Sequence, residues 1–471
     1  MPSSRRLTGS TPCSWCATVN DSASLVIRGA TRLEPGHPRR EVDAVIEDGI
    51  LTELNVLHWG SRRTALGAVP DPSHTRTRSQ VIDATGLYLA PGFLDLHTHL
   101  RDPGEPQKET IETGAAAAAA GGFTSIVAMA NTVPPVDGPE VLRDIVERGR
   151  QAAIRVSSVA AITKSLEGKE LTDMEALAEA GAVAFSDDGR NAYGLELAVE
   201  AGRRAAALDR AILVHAQDET TCPDGEVNDA VAASTALRPW PCEAEVAAVK
   251  RAIEACRQSG SRLHLQHLSC SGSLELLEQA KAQGLPVTAE VTPHHLVLTE
   301  GRVLVGATPD PLAKVSPPLR SDRDRAHLVA ALGSGLVDAI ATDHAPHEAA
   351  TRQVTFSKAS FGFSGLETAL SLCLELVDSG ALNLDRLVEA LTVGPWRCLS
   401  PGLDQPMPAL RVGQPADLVL FETKGLLRLD ASRLLSTGKN TPLDGRDMRG
   451  RVLLTVAAGR MVHGDWFAVP G

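Results

Sequence analysis

The chain has 471 residues, of which 43% are hydrophobic and 22% charged, so it can bury a core for two or three average domains or one large barrel. Its formal net charge of −12, from 46 basic and 58 acidic residues, gives no overall attraction to nucleic-acid phosphates or anionic membranes, and no apolar run reaches the ~20 residues of a membrane span. Eight scattered cysteines lack the density of a secreted disulfide scaffold and fit a reducing cytoplasm.

Residues 1–22 are rich in Ser, Thr and Arg, and their arginines are not followed by the apolar stretch of a secretory signal. They are expected to form a disordered N-terminal extension. Cys13-Ser-Trp-Cys16 lies inside it with no second cysteine pair nearby, which makes a metal knuckle there incidental. From 23 to 90 the chain carries short apolar alternations, such as Ser24–Arg28, Ala44–Gly49 and Gln80–Asp83, broken by Gly, Pro and Asp. These are strand and turn signals without helical periodicity. The same texture returns after residue 404, in Ala416–Phe421, Arg451–Val456 and Gly459–Val462. The arrangement expected is a small β-sandwich domain built from 23–90 and 404–471, with 91–403 inserted as the large domain.

That middle repeats one pattern eight times, a β-rich run, a polar tip and an Ala/Leu/Glu-rich amphipathic stretch. The runs are Phe93–His99, Thr124–Asn131, Arg155–Thr163, Val183–Asp188, Ala211–Gln217, Arg262–Ser269, Pro286–His295 and Val337–His347. Strands alternating with helices imply parallel pairing with right-handed crossovers, so the fold class is α/β, a (β/α)8 TIM-like barrel. Active sites of such barrels lie at the carboxyl ends of the strands. Nine of the fourteen histidines fall at or just before those ends: 97, 99, 215, 264, 267, 294, 295, 344 and 347.

His97 and His99 are two residues apart at the end of an apolar strand, where alternate side chains share a face. Alone, the pair fits a metal site or two hydrogen-bonded strand-end histidines equally well. A carboxylate from Asp187-Asp188, then His215, His267 and Asp343, follow at later tips. Six ligands on five strands suffice for a binuclear centre of hard cations, which acidifies a shared water and polarises a carbonyl.

The motifs PGFLDLHTHLRDPG (91–104), KETIETG (108–114), GGFTSIVAMANT (121–132), AFSDDG (184–189), HLQHLS (264–269), EVTPHHL (290–296), PPLR (317–320), DAIATDHAPH (338–347), FGFSGLET (361–368) and NTPLDG (440–445) resemble those of bacterial-type dihydroorotases in the amidohydrolase superfamily. The resemblance spans about residues 23–465. It implies a cytoplasmic, zinc-dependent cyclic amidohydrolase with one or two Zn²⁺ per subunit, a binuclear centre. The reaction implied is reversible hydrolysis of L-dihydroorotate to N-carbamoyl-L-aspartate in pyrimidine biosynthesis, by attack of a metal-activated hydroxide. His97, His99 and Asp343 would hold one metal, His215 and His267 the other, and Asp188 would bridge, with Asp187 supporting the loop. Asp343 would also shuttle the proton. His99, Arg101, Asn131, Ser316, His347, Phe361 and Gly362 would line the substrate, Arg101 offering a planar fork to the substrate carboxylate. A surface ion pair for Arg101 and a loop cap for Asn131 are the alternative readings. The resemblance also implies a homo-oligomer and aspartate carbamoyltransferase as a partner, with neither nucleic acid nor membrane involved.

Three features depart from the family pattern. Ser316 stands where asparagine is usual, Ala130 where proline is usual, and residues 219–242 diverge. Ser316 favours a hydantoinase, dihydropyrimidinase or allantoinase reading, whereas Arg101 and the absence of a bridging lysine between Gly181 and Gly189 oppose it. A non-catalytic scaffold of aspartate carbamoyltransferase is the remaining alternative. The full ligand set speaks against it.

Overall fold

The computed structural model describes residues 24–57, 80–190, 194–218, 220–348, 350 and 354–465. The expected N-terminal extension, with Cys13 and Cys16, lies outside these residues.

Short alternating runs interrupted by Gly, Pro and Asp give five early strands: β1 (Leu25–Arg32), β2 (Arg40–Glu47), β3 (Ile50–Val56), β4 (Gln80–Asp83) and β5 (Tyr88–Pro91). β1 pairs antiparallel with β2, and β2 with β3, while β4 and β5 lie parallel to β1. The late strand Leu418–Arg428 joins β5 antiparallel, Leu418 facing Pro91, and is followed by Asp447–Ala457 and Arg460–Gly464. Both ends of the described chain therefore enter one eight-stranded sheet. Its inward residues follow the period of two: Val42, Ala44 and Ile46 of β2 are buried and pack with Leu418, Leu420, Leu454 and Val456.

The middle of the chain supplies β6 (Phe93–Thr98), β7 (Phe123–Ala128), β8 (Arg155–Ser158), β9 (Ala184–Ser186), β10 (Ala211–His215), β11 (Arg262–Gln266), β12 (Val287–Val291) and a two-residue strand, Ala339–Ile340. All pairings among them are parallel. β6, β7 and β8 run side by side, an Ala160–Phe185 bridge passes to β9, and β9 through β12 continue to Ala339–Ile340. A Thr98–His344 bridge then returns to the end of β6. Parallel strands covered on both faces read as continuous apolar runs, and every residue of β6, β7 and β10 is buried.

Several strands end earlier than the sequence runs do, most of all the eighth, because the chain leaves the ladder for the loops that carry the polar tips. Pro293 and Pro346, which have no N–H to give a neighbouring strand, sit in two of these exits. Gly121 closes the helix Ile111–Ala120 with space for no side chain, since a Cβ there would lie 2.3 Å from the carbonyl oxygen of Leu366. The Gly121-Gly122 pair thus serves close helix packing. Among the described residues no helix is long and apolar enough to cross a membrane.

Candidate active site

His97 is the fifth residue of β6 and His99 follows the strand, so both imidazoles reach the same end of the parallel circuit. The loops after β9, β11 and Ala339–Ile340 bring Asp188, His267 and Asp343 to them, and His215 is the last residue of β10. Nε2 of His97 stands 3.3 Å from Oδ1 of Asp188 and 3.6 Å from Oδ1 of Asp343. Nε2 of His99 is 3.5 Å from Oδ2 of Asp188 and 3.1 Å from Asp343. His215 and His267 approach Asp188 to 3.6 and 3.9 Å and contact each other at 2.8 Å. The Asp188 carboxylate therefore faces four imidazoles, all buried.

Burial opposes charge on His97, but Asp188 and Asp343 outweigh it and raise its pKa well above the ordinary value. For Asp188 burial likewise opposes ionisation, and His97, His99 and His215 overcome it, so its pKa falls well below the usual carboxylate range. His267 is held neutral by burial and by the other imidazoles. Such a set of imidazoles and carboxylates fits hard or borderline divalent cations. His97, His99 and Asp343 form one group with ligand atoms within 4.8 Å of one another, and His97, Asp188 and His267 form a second. Among the described residues, Nε2 of His97 and Oδ1 of Asp188 are buried without a hydrogen-bond partner, as expected of atoms whose partner is a cation.

Beside this cluster lies a cavity of about 230 Å³ lined by His99, Arg101, Asn131, Asp188, His215, His267, Ser316, Asp343, His347, Phe361 and Gly362. Of the expected site residues only His97 is absent from its wall; it lies beneath, at 0% exposure. Arg101 is half-buried, and its Nε is shut off from solvent with no partner among the described residues, which sets aside a surface ion pair. Burial lowers its pKa against the pull of Glu105, Asp343 and Asp188. Asn131 is no simple loop cap: its Oδ1 contacts His99 Nδ1 at 2.9 Å and its Nδ2 donates to Asp188 Oδ2 at 3.3 Å. His347 donates from Nε2 to the Phe361 carbonyl at 2.8 Å, leaving Nδ1 buried and without a partner among the described residues. Burial, reinforced by Arg101, pushes its pKa down to about 3. Ser316 Oγ is 3.4 Å from His215 Nε2. Arg101, His267 and Asp343 have φ of 54°, 34° and 47°, left-handed backbone that non-glycine residues keep only where the surroundings enforce it.

The supporting groups were less visible in sequence. Asp95, fully buried in β6, accepts from Thr342 N at 3.0 Å and Thr342 Oγ1 at 2.5 Å, tying the first strand to the loop that carries Asp343. Trp240, from the divergent segment, packs 6.4 Å from His215 and 6.2 Å from Phe361, ring centre to ring centre. Asn440 accepts from His347 N and donates to Gly362 O. An acid inside a wholly apolar run was the one available signal for Asp95; nothing local marked Trp240.

A family model described as Dihydro-orotase-like matches residues 86–273. A dihydroorotase of Anaeromyxobacter dehalogenans is 43% identical over 82% of this chain and 88% of its own length. One from Syntrophus aciditrophicus is 38% identical over 93% of this chain and 99% of its own. Among solved structures, the L-hydantoinase (dihydropyrimidinase) of Arthrobacter aurescens superposes with a TM-score of 0.76 at 24% identity, covering 93% of this chain and 96% of that one. Dihydropyrimidinase from Brevibacillus agri gives 0.73 at 22% identity, with 94% and 95% covered. At that identity the likeness shows the fold.

Fold, site and relatives together define the class as a cyclic amidohydrolase. Within that class the relatives narrow the choice, and the chain belongs to the dihydroorotase family.

Proposed function

We propose that this protein hydrolyses L-dihydroorotate reversibly to N-carbamoyl-L-aspartate at a zinc centre of one or two ions, seated in a closed (β/α)8 barrel (91–403) beside a β-sandwich drawn from 23–90 and 404–471. The parallel circuit returning to β6 and the core shared by early and late strands support that architecture. The observation that carries the reaction is the Asp188 carboxylate among four imidazoles, sharing one cavity with Arg101.

In this reading His97, His99 and Asp343 would hold one cation and His215 and His267 the other, with Asp188 available to both. A divalent cation so held supplies an acidified water and polarises the ring carbonyl. Asp343, 3.1 Å from His99 Nε2, takes the proton of the attacking water and hands it to the departing amide nitrogen as the C–N bond breaks. Arg101 binds the ring carboxylate through charge-assisted hydrogen bonds. His347, with its proton committed to Phe361 O, offers Nδ1 as an acceptor to a ring N–H. Asn131 holds His99 and Asp188 in place, and Ser316, Phe361 and Gly362 shape the wall.

A hydantoinase or dihydropyrimidinase activity is favoured by Ser316 and opposed by Arg101 on the cavity wall. Steady-state assays of metal-loaded protein on dihydroorotate, dihydrouracil and hydantoin, with metal content measured, decide between them. Dihydroorotate is expected to have the highest kcat/KM; preference for uncharged dihydrouracil overturns the proposal.

A further inference from the structure

Glu290, in β12, is 1% exposed and lies outside the cavity wall, on the far side of His97 from Asp188. Its Oε1 is 2.8 Å from His97 Nδ1, and its Oε2 is 3.0 Å from Nε2 of His264. His264 is fully buried in β11, takes no part in the ligand cluster, and is fixed in turn by Thr288 Oγ1 at 2.8 Å from its Nδ1. Three strands of the circuit, β6, β11 and β12, thus contribute to one chain of buried polar groups, Thr288 to His264 to Glu290 to His97.

The acceptor count gives this chain its consequence. A carboxylate accepts and does not donate, so the contact at Oε1 requires the His97 proton on Nδ1. In the neutral imidazole that a cation requires, Nε2 is then left with its lone pair, and it is this nitrogen that faces Asp188 and Asp343. A neutral amide in place of the carboxylate could present either an oxygen or an N–H to Nδ1. The second choice puts the imidazole proton on Nε2 and closes that nitrogen to a cation. Gln266 Nε2 lies 3.2 Å from the same Nδ1 and invites this wrong tautomer, so the stronger carboxylate acceptor is needed to decide it.

We infer that Glu290, seated by His264, is a positioning residue that fixes His97 as the Nδ1–H tautomer and readies Nε2 for a divalent cation. The inference rests on reading the His/Asp cluster as a metal centre. It concerns binding, so activity need not be its readout.

The test measures Zn²⁺ affinity of the full-length chain by competition with a chromophoric chelator, for wild type, Glu290→Gln, His264→Gln and His264→Leu. Far-UV circular dichroism reports folding, and the visible spectrum of the Co²⁺-substituted forms reports the ligand field. Glu290→Gln is expected to weaken one zinc equivalent about 10- to 100-fold and to alter the Co²⁺ spectrum. His264→Gln keeps a donor toward Oε2 and is expected to bind like wild type, whereas His264→Leu follows Glu290→Gln. If Glu290→Gln does not fold, the contrast between the two His264 variants carries the test. Wild-type affinity and spectrum in Glu290→Gln, or equal affinity in both His264 variants, overturns the inference and leaves the metal centre standing. A wild-type chain that binds no zinc overturns both.

Discussion

Asp187 and Asp188 are neighbours in sequence and turn to opposite tasks. Asp188 reaches His97 Nε2 at 3.3 Å, while Asp187 accepts from Ile162 N at 2.8 Å, Thr163 N at 3.0 Å and Thr163 Oγ1 at 2.5 Å. One carboxylate faces the imidazoles and the other ties down the loop after β8.

Substitution should therefore separate metal binding from stability at adjacent positions. Asp188→Asn is expected to lower zinc content and to cut kcat/KM by more than the roughly 100-fold typical of groups outside the ligand set. Asp187→Asn is expected to keep its zinc and lose about 1.5–3 kcal/mol of stability, the usual worth of hydrogen bonds to a charged group. Metal analysis beside urea unfolding of both variants checks this; loss of zinc in Asp187→Asn alone contradicts it.

Among the described residues lining the cavity Arg101 is the sole arginine, and the proposal gives it the substrate carboxylate. Lysine cannot reproduce its planar fork. Arg101→Lys is expected to raise KM for dihydroorotate about 10- to 100-fold, the equivalent of the ~1.5–3 kcal/mol of a charge-assisted contact. Turnover of uncharged dihydrouracil should change little. Parallel losses on both substrates would place Arg101 in support of the loop instead.

Gly362 has φ of +100°, and a Cβ there would lie 2.3 Å from Ala345 Cβ. Its amide donates to Lys314 O, and its carbonyl accepts from Asn440, so the loop cannot swing aside freely. Gly362→Ala should push Phe361 and His347 from their places. A shift of ~1 Å can cost about 100-fold in rate. The expectation is a fall of about 10- to 100-fold in kcat/KM with zinc content kept, measured on the metal-loaded variant.

His295 is fully buried, with Nε2 against Pro317 O at 3.0 Å and Nδ1 against Thr292 Oγ1 at 2.8 Å, and burial pushes its pKa down to about 4. An unfolded imidazole titrates near 6.5. Between these values the unfolded chain binds a proton that the native state refuses. Stability from this group is complete above about pH 6.5 and is lost as pH falls toward 4. His295→Gln, which hydrogen-bonds without titrating, is expected to flatten that decline by about one proton. Urea midpoints from pH 4 to 8, with chelator throughout, measure it; an unchanged slope rules His295 out as the cause.

By itself the sequence determined the parallel α/β alternation, the return of the chain's end to its beginning, and the identity of the clustered imidazoles and carboxylates. Each is written in local pattern: apolar runs of strand length, polar residues at their ends, and alternation where one face of a sheet is exposed. Position along the chain could not say where Asn131 points, which acid holds His97 from behind, or that Trp240 stands against His215. These depend on which strands lie side by side and on side-chain direction around a packed circuit. Glu290 and His97 meet only because β12 and β6 deliver their side chains into the same interior. Burial, a property of the assembled fold, then lowers the proton affinity of His267 and His347, and the imidazoles gathered by the same fold lower that of Asp188 against its own burial.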